Sequence, residues 1–458
     1  MHKALVVLAL LFVWLRPAAG AEAVVLTDIH FNQLADKSLA EALARAPAEQ
    51  WAATLDRGSE RMSAYGQDTD WKLLSSALAA LKAQGRPDLV LMSGDFAVHG
   101  FRDLFNASVA AHDDTAYHRF VTTTMRFLAL QLEAAFAHAP ILPTLGNNDS
   151  DCGDYGVQPG GRFLADTASI VAGMIGPALL TGSAGDDFAA SWTALGNYAV
   201  DAPALADERI IAFNDNFFSP HYRNACGSDA DGNPARATLA WLGHALADAA
   251  AAHRKVILID HIPPGTDAFA TAQHDACPAT PVRLLAQPYA DALHALMLRY
   301  RDTIVTDIAG HLHTDAFRIL RDHGTAFGFV MIAPALSPIF AQNPAFRRIT
   351  FGNDGVIADE TTYYLANLTE AVAGAAPQWR AEASFDRAWN TARFDLASLE
   401  MLYRRIATSP AAQQRWSATY GVQSPGAEIA PQNFAVYRCS VGSDDAEDYA
   451  RCRCGAGR

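Results

Sequence analysis

The sequence is short of charge and has no basic excess. Of its 458 residues 18% are charged, and 35 lysines and arginines face 49 aspartates and glutamates, giving a formal net charge of −14 at pH 7. Proteins that track a phosphate backbone carry a basic face, so nucleic acid is not expected as a standing partner. Internal repeats and long low-complexity segments are also missing, which removes solenoids and disordered tracts from consideration. With half of its residues hydrophobic, the chain reads as globular. Its length allows one large domain with an appendage, or two ordinary domains.

Long apolar runs are confined to the start. "MHKALVVLALLFVWLRPAAGAEAVVL" has Lys3, an apolar run from Ala4 to Leu15, Arg16, Pro17, and small residues at Ala19 and Ala21. That is the layout of a secretory signal cleaved near Ala21. A membrane anchor needs about 20 apolar residues, and Arg16 ends this run too early. The mature chain is expected to be soluble, secreted or periplasmic, without a transmembrane anchor.

Six cysteines follow, at 152, 226, 277, 439, 452 and 454. An even number in an exported chain favours disulfides, with Cys439 expected to join Cys452 or Cys454. A metal cluster in the tail is opposed by the two-residue spacing of Cys452 and Cys454 and by the lack of a nearby histidine.

Short apolar runs that end in polar clusters recur at 23–30, 88–95, 141–149, 209–216, 255–265 and 303–315. Each reads as a buried strand with its polar residues at the carboxyl end. Helical periodicity fills 71–84, 120–139, 235–254 and 289–301 between them, the alternation of an α/β fold. A strand pair over 327–336 and 346–365, with a turn at Asn353, Asp354 and Gly355, completes the sheets. Residues 385–408 and 411–422 read as helices. The expected division is a signal over 1–21, a catalytic domain over 22–367 and a helical, cysteine-bearing module over 368–458. The acidic run 444–448, "DDAED", reads as solvated.

In open α/β sheets ligands collect beyond the carboxyl ends of strands. There the sequence supplies Asp28 and His30, Asp95 and His99, Asn147, His261, and then His311 and His313. One such residue is ordinarily a cap or a satisfied polar group. The ordered series of carboxylate, imidazole and amide oxygen is a mixed ligand set suited to zinc, manganese or iron. Gly94 and Gly146 each precede one of these residues and permit close backbone approach. Asp149 and Asp260, beside two of them, read as orienting groups. His221, His253, His274 and His323 read as surface or loop residues, with His221 and His274 near the rim.

The motif order "DIH", "GDFAVHG", "GNND", "HIPPG", "GHLH" resembles the calcineurin-like metallophosphoesterase superfamily, and within it the acid sphingomyelinase-like phosphodiesterases and the endopolyphosphatases. The resemblance implies a four-layer α/β/β/α sandwich with a helical C-terminal module. It implies two divalent metal ions, zinc first, with Asp28, His30 and His313 on one, Asn147, His261 and His311 on the other, and Asp95 bridging. The implied reaction is hydrolysis of a phosphodiester, a phospholipid headgroup or nucleotide derivative, by metal-activated hydroxide. Endopolyphosphatase or phosphomonoesterase activity, and a metal-retaining binding protein with little turnover, are the alternatives.

One position departs from the superfamily pattern. Gly-Asn-His is usual where this chain has Gly146, Asn147 and Asn148. An amide donates a hydrogen bond to a phosphate oxygen but supplies no proton. The sphingomyelinase-like branch implies His99, four residues after Asp95, as the acid for the leaving group. Orientation of a neighbouring ligand is the plainer role for it.

Overall fold

The computed structural model describes residues 20–59, 61–111, 113–202, 204–205, 208–227 and 232–455. The segment read as a signal lies outside them up to residue 19. Among the described residues, twelve strands form two six-stranded sheets. They are β1 Glu22–Leu26, β2 Leu89–Met92, β3 Ile141–Pro143, β4 Tyr198–Asp201, β5 Glu208–Ala212, β6 Lys255–Ile259, β7 Ile304–Ala309, β8 Ala316–Asp322, β9 Thr325–Ile332, β10 Ala345–Phe351, β11 Ile357–Leu365 and β12 Trp379–Ala381.

The first sheet has the order β12-β11-β10-β1-β2-β3 and the second β4-β5-β6-β7-β9-β8. β1, β2 and β3 run parallel in the first, and β5, β6, β7 and β9 in the second. Parallel strands covered on both faces are apolar throughout rather than alternating, and β2, "LVLM", is buried at every residue. Helices such as Trp71–Ala83, Asp114–Ala135, Pro234–Ala251 and Gln287–Arg299 cover the outer faces of an α/β/β/α sandwich with a helical C-terminal part. Their starts follow local chemistry: the carboxylates of Asp70 and Asp113 and the Asn233 amide accept from the first-turn N–H groups.

Residues 327–336, grouped in sequence with 346–365, enter the other sheet: β9 pairs with β7 and β8, and the turn at 353–355 joins β10 to β11. β8 escapes the sequence pattern because Arg318, Arg321 and Asp322 interrupt its apolar run. Arg318 is nevertheless buried, its guanidinium donating to the carbonyls of Pro264 and Thr266. The helix expected over 385–408 is two helices, Phe385–Trp389 and Leu396–Thr408. Asn390, in the left-handed region at φ 53°, stops the first, and Asp395 caps the second.

All six cysteines pair: Cys152–Cys226, Cys277–Cys454 and Cys439–Cys452. The acidic run 444–448 is not a solvated stretch. Asp444 and Asp448 are buried; Asp444 accepts from His294 and the Arg321 N–H, while Asp448 accepts from Arg451 and the Gly324 N–H.

A candidate dinuclear metal centre

The carboxyl ends of β1, β2 and β3 in one sheet and of β6 and β7 in the other meet at one rim. Two contacts join the sheets there. The Ser93 hydroxyl donates to the Asp260 carbonyl, and His261 Nδ1 donates to the Ser93 carbonyl at 2.6 Å. This convergence brings together all seven residues picked from the sequence as ligands.

The tautomers follow from second partners, because a ring nitrogen that donates to a carbonyl leaves the other with its lone pair. His261 Nε2 therefore turns a lone pair toward Asn147 Oδ1 at 3.0 Å and Asp95 Oδ2 at 3.2 Å. His311 Nδ1 is also 3.0 Å from Asn147 Oδ1. On the other side His30 Nδ1 donates to the Ala97 carbonyl at 3.2 Å. Its Nε2 lies 3.1 Å from His313 Nε2, 3.4 Å from Asp95 Oδ2 and 3.7 Å from Asp28 Oδ1. His313 Nε2 is 3.3 Å from Asp28 Oδ1.

Acceptors thus point at acceptors in two adjoining groups, and Asp95 Oδ2 touches both. Only positive charge satisfies such a cluster. Burial opposes charge on His30 and His261, yet Asp95 and Asp28 draw their pKa values up to about 9 and about 10. Burial, aided by His261, pushes His311 down to about 3. The mixed N and O donor set fits divalent cations of borderline softness.

The backbone is bent to make this fit. Asp28, His30, Asp95, His311 and His313 all have positive φ, between 44° and 66°. Non-glycine residues rarely adopt that region, and such outliers cluster at functional sites. Gly94, at φ 88°, abuts Gly146, and a Cβ on either would collide with the other segment. Asp149 braces both loops by accepting from the N–H groups of Gly146, Asp95, Phe96 and Ala97 at 2.8–3.0 Å. It therefore orients its neighbours as expected, whereas the Asp260 carboxylate finds no hydrogen-bond partner among the described residues.

Asn148 is buried and committed to Asp95. Its backbone N–H donates to Oδ1 at 2.8 Å and its side-chain amide to Oδ2 at 2.9 Å. His99 lies beside the centre, its ring stacked on His30 with centroids 4.0 Å apart, and its Nδ1 is hydrogen-bonded to Asp68. At the rim Tyr155 packs against His311 and His221, and Phe340, 60% exposed, packs against His313 and His99. Sequence reasoning missed Asp68, Ser93, Gly310 and Phe340. Only Gly310, next to His311 in "GHLH", carried a local signal.

The family model for calcineurin-like phosphoesterase matches residues 23–315. The chain belongs to the calcineurin-like phosphoesterase family. This phosphoesterase, a metal-dependent phosphoric-ester hydrolase, is 23% identical over 404 residues to the acid sphingomyelinase-like phosphodiesterase 3b of Homo sapiens, covering 85% of this chain and 81% of the relative. It is 27% identical over 356 residues to a cyclic GMP-AMP phosphodiesterase of Rattus norvegicus, covering 74% of this chain and 71% of the relative. Among solved structures it is similar to a dimetal phosphatase from Danio rerio, at 14% identity and a TM-score of 0.43, covering 75% of this chain and 95% of that one. No helix among the described residues is long and apolar enough to cross a membrane.

Proposed function

We propose that this phosphoesterase hydrolyses phosphodiesters with two divalent cations, zinc first. Asp28, His30 and His313 would hold one, Asn147, His261 and His311 the other, and Asp95 both. The observation that carries this reading is the placement of Asp95 Oδ2, 3.4 Å from His30 Nε2 and 3.2 Å from His261 Nε2. Bound there, the cations supply Lewis-acid polarisation of phosphoryl oxygens and a nucleophile at neutral pH. Asn148 keeps the shared carboxylate in place through its amide. It has no proton to give, so His99 is the residue we assign to protonate the leaving oxygen.

A cleft of about 810 Å³ opens at His99. Its lining contains Asp36, Asp68, Asp70 and Asp103 against Arg61 and Lys72. That balance disfavours a polyphosphate and supports a neutral or cationic leaving group. We assign residues 22–367 to catalysis and 368–458 to a helical module. Three disulfides support an exported protein, whose mature chain should begin near Glu22.

The deciding assay takes purified protein with zinc, manganese or magnesium against bis-p-nitrophenyl phosphate, p-nitrophenyl phosphate, sphingomyelin and polyphosphate. Metal-dependent turnover of the diesters above the monoester and polyphosphate is the expected result. Turnover of polyphosphate alone, or none with any metal, overturns the reading.

A further inference from the structure

We infer that Asp68 is the positioning residue for His99, a role that rests on His99 being the general acid. Asp68 lies 31 residues before His99, on the loop that precedes the helix Trp71–Ala83. Its two carboxylate oxygens are 3.0 and 3.2 Å from His99 Nδ1, and its side chain is 9% exposed. The Ser337 hydroxyl donates to the same carboxylate at 3.2 Å.

The segment carrying Asp68 is itself fixed to the metal-side loops. The Thr69 N–H donates to the His30 carbonyl at 3.1 Å, the Asn32 N–H to the Thr69 carbonyl at 2.7 Å, and the Ser337 N–H to the Asp28 carbonyl at 3.0 Å. Asp68 is thus anchored to the same backbone that carries Asp28 and His30. The His99 ring lies nearly parallel to His30, at 15°, with Phe340 edge-on to it. Stacking limits tilt of the ring but does not choose between the two orientations related by a flip about the Cβ–Cγ bond. The hydrogen bond from Nδ1 to Asp68 selects one of them.

A carboxylate that accepts from one ring nitrogen fixes the tautomer and orients the other. With Nδ1–H committed to Asp68, Nε2 is the atom left to exchange a proton, and it has no hydrogen bond to any described residue. In the step so assigned, oxygen from water bonds to phosphorus, one of that water's protons passes to solvent, and the bond from phosphorus to the leaving oxygen breaks. That oxygen takes the bond's electron pair together with the proton from His99 Nε2. The proton on Nδ1 stays between His99 and Asp68 throughout.

The test compares Asp68→Asn, Asp68→Glu and His99→Ala with the parent on methyl aryl phosphodiesters running from p-nitrophenol to unsubstituted phenol. The readout is the ratio of kcat for the phenyl ester to kcat for the nitrophenyl ester, with metal content measured in parallel. Asp68→Asn is expected to lower that ratio roughly 10- to 100-fold, the range for loss of a carboxylate behind a functional histidine. Asp68→Glu should restore part of it. The double variant with His99→Ala should be no worse than His99→Ala alone. If His99→Ala lowers the ratio and Asp68→Asn does not, this inference falls while the assignment of His99 stands. If His99→Ala leaves the ratio unchanged, that assignment falls and this one with it. A fall in both rates with equal loss of metal would make Asp68 structural and overturns the positioning role.

Discussion

Asn148 grips Asp95 at both carboxylate oxygens, through its backbone N–H at 2.8 Å and its side-chain amide at 2.9 Å. A residue that stands where the superfamily usually places a proton donor is here a brace for the shared carboxylate. Hydrogen bonds to charged groups contribute about 1.5–3 kcal/mol. Asn148→Ala should therefore destabilise the protein by about that amount in urea unfolding and weaken cation binding in calorimetric titration. Unchanged stability with unchanged binding would remove the brace role.

Asp95 touches both halves of the centre, so Asp95→Asn should weaken both cations together. The loss should exceed the roughly 10- to 100-fold typical of supporting residues. Elemental analysis of the purified variant decides it. Two ions retained at normal activity would rule Asp95 out as the bridge.

His99→Ala should slow esters with poor leaving groups by about 10²- to 10⁴-fold, the usual contribution of general acid catalysis. Release of p-nitrophenolate needs little protonation and should fall far less. Adding Asn148→His to His99→Ala should recover part of the activity, because that position adjoins the same carboxylate. An equal loss on all esters would place the acid elsewhere.

Gly310 lies where the two sheets press together. A Cβ there would sit 2.3 Å from Thr27 Oγ1 and 2.6 Å from Asp28 Oδ2. Gly310→Ala should push Asp28 away from His313 and lower kcat by roughly 10²-fold, the scale of a 1 Å misplacement. Wild-type rates would show that the rim yields without disturbing the centre.

The pH dependence of stability should carry a signature of His294, whose Nδ1 lies 2.6 Å from Asp444 in the C-terminal module. The hydrogen bond to Asp444 raises its pKa above the ordinary value of 6.5 against the opposing effect of burial, with Asp322 and Asp445 adding to the rise. A histidine raised on folding stabilises fully below its unfolded pKa, and the gain disappears as pH climbs through the folded one. The melting temperature should therefore fall from about pH 6.5 upward, and His294→Gln should flatten that slope. A parallel slope in the variant would assign the dependence to other groups.

The sequence by itself determined the parallel strands β1, β2, β3, β5, β6 and β7 and the seven residues that the fold brings together at one rim. Each apolar run carries its own polar terminus, and both signals are local: a buried parallel strand is continuous in hydrophobicity, and its functional residues follow within a few positions. What depends on packing between distant segments was decided only by the tertiary structure. Asp68 and His99 face each other because the β1 loop and the β2 loop are laced together. Cys277 and Cys454 pair across 177 residues. β9 joins the second sheet because β8 folds back on it at His323 and Gly324, and Asp444 is buried because His294 and Arg321 meet it. Asn148 read as a missing acid because a side chain's chemistry is written at its own position, whereas its partner, Asp95, lies 53 residues away in the chain and 2.9 Å away in the fold.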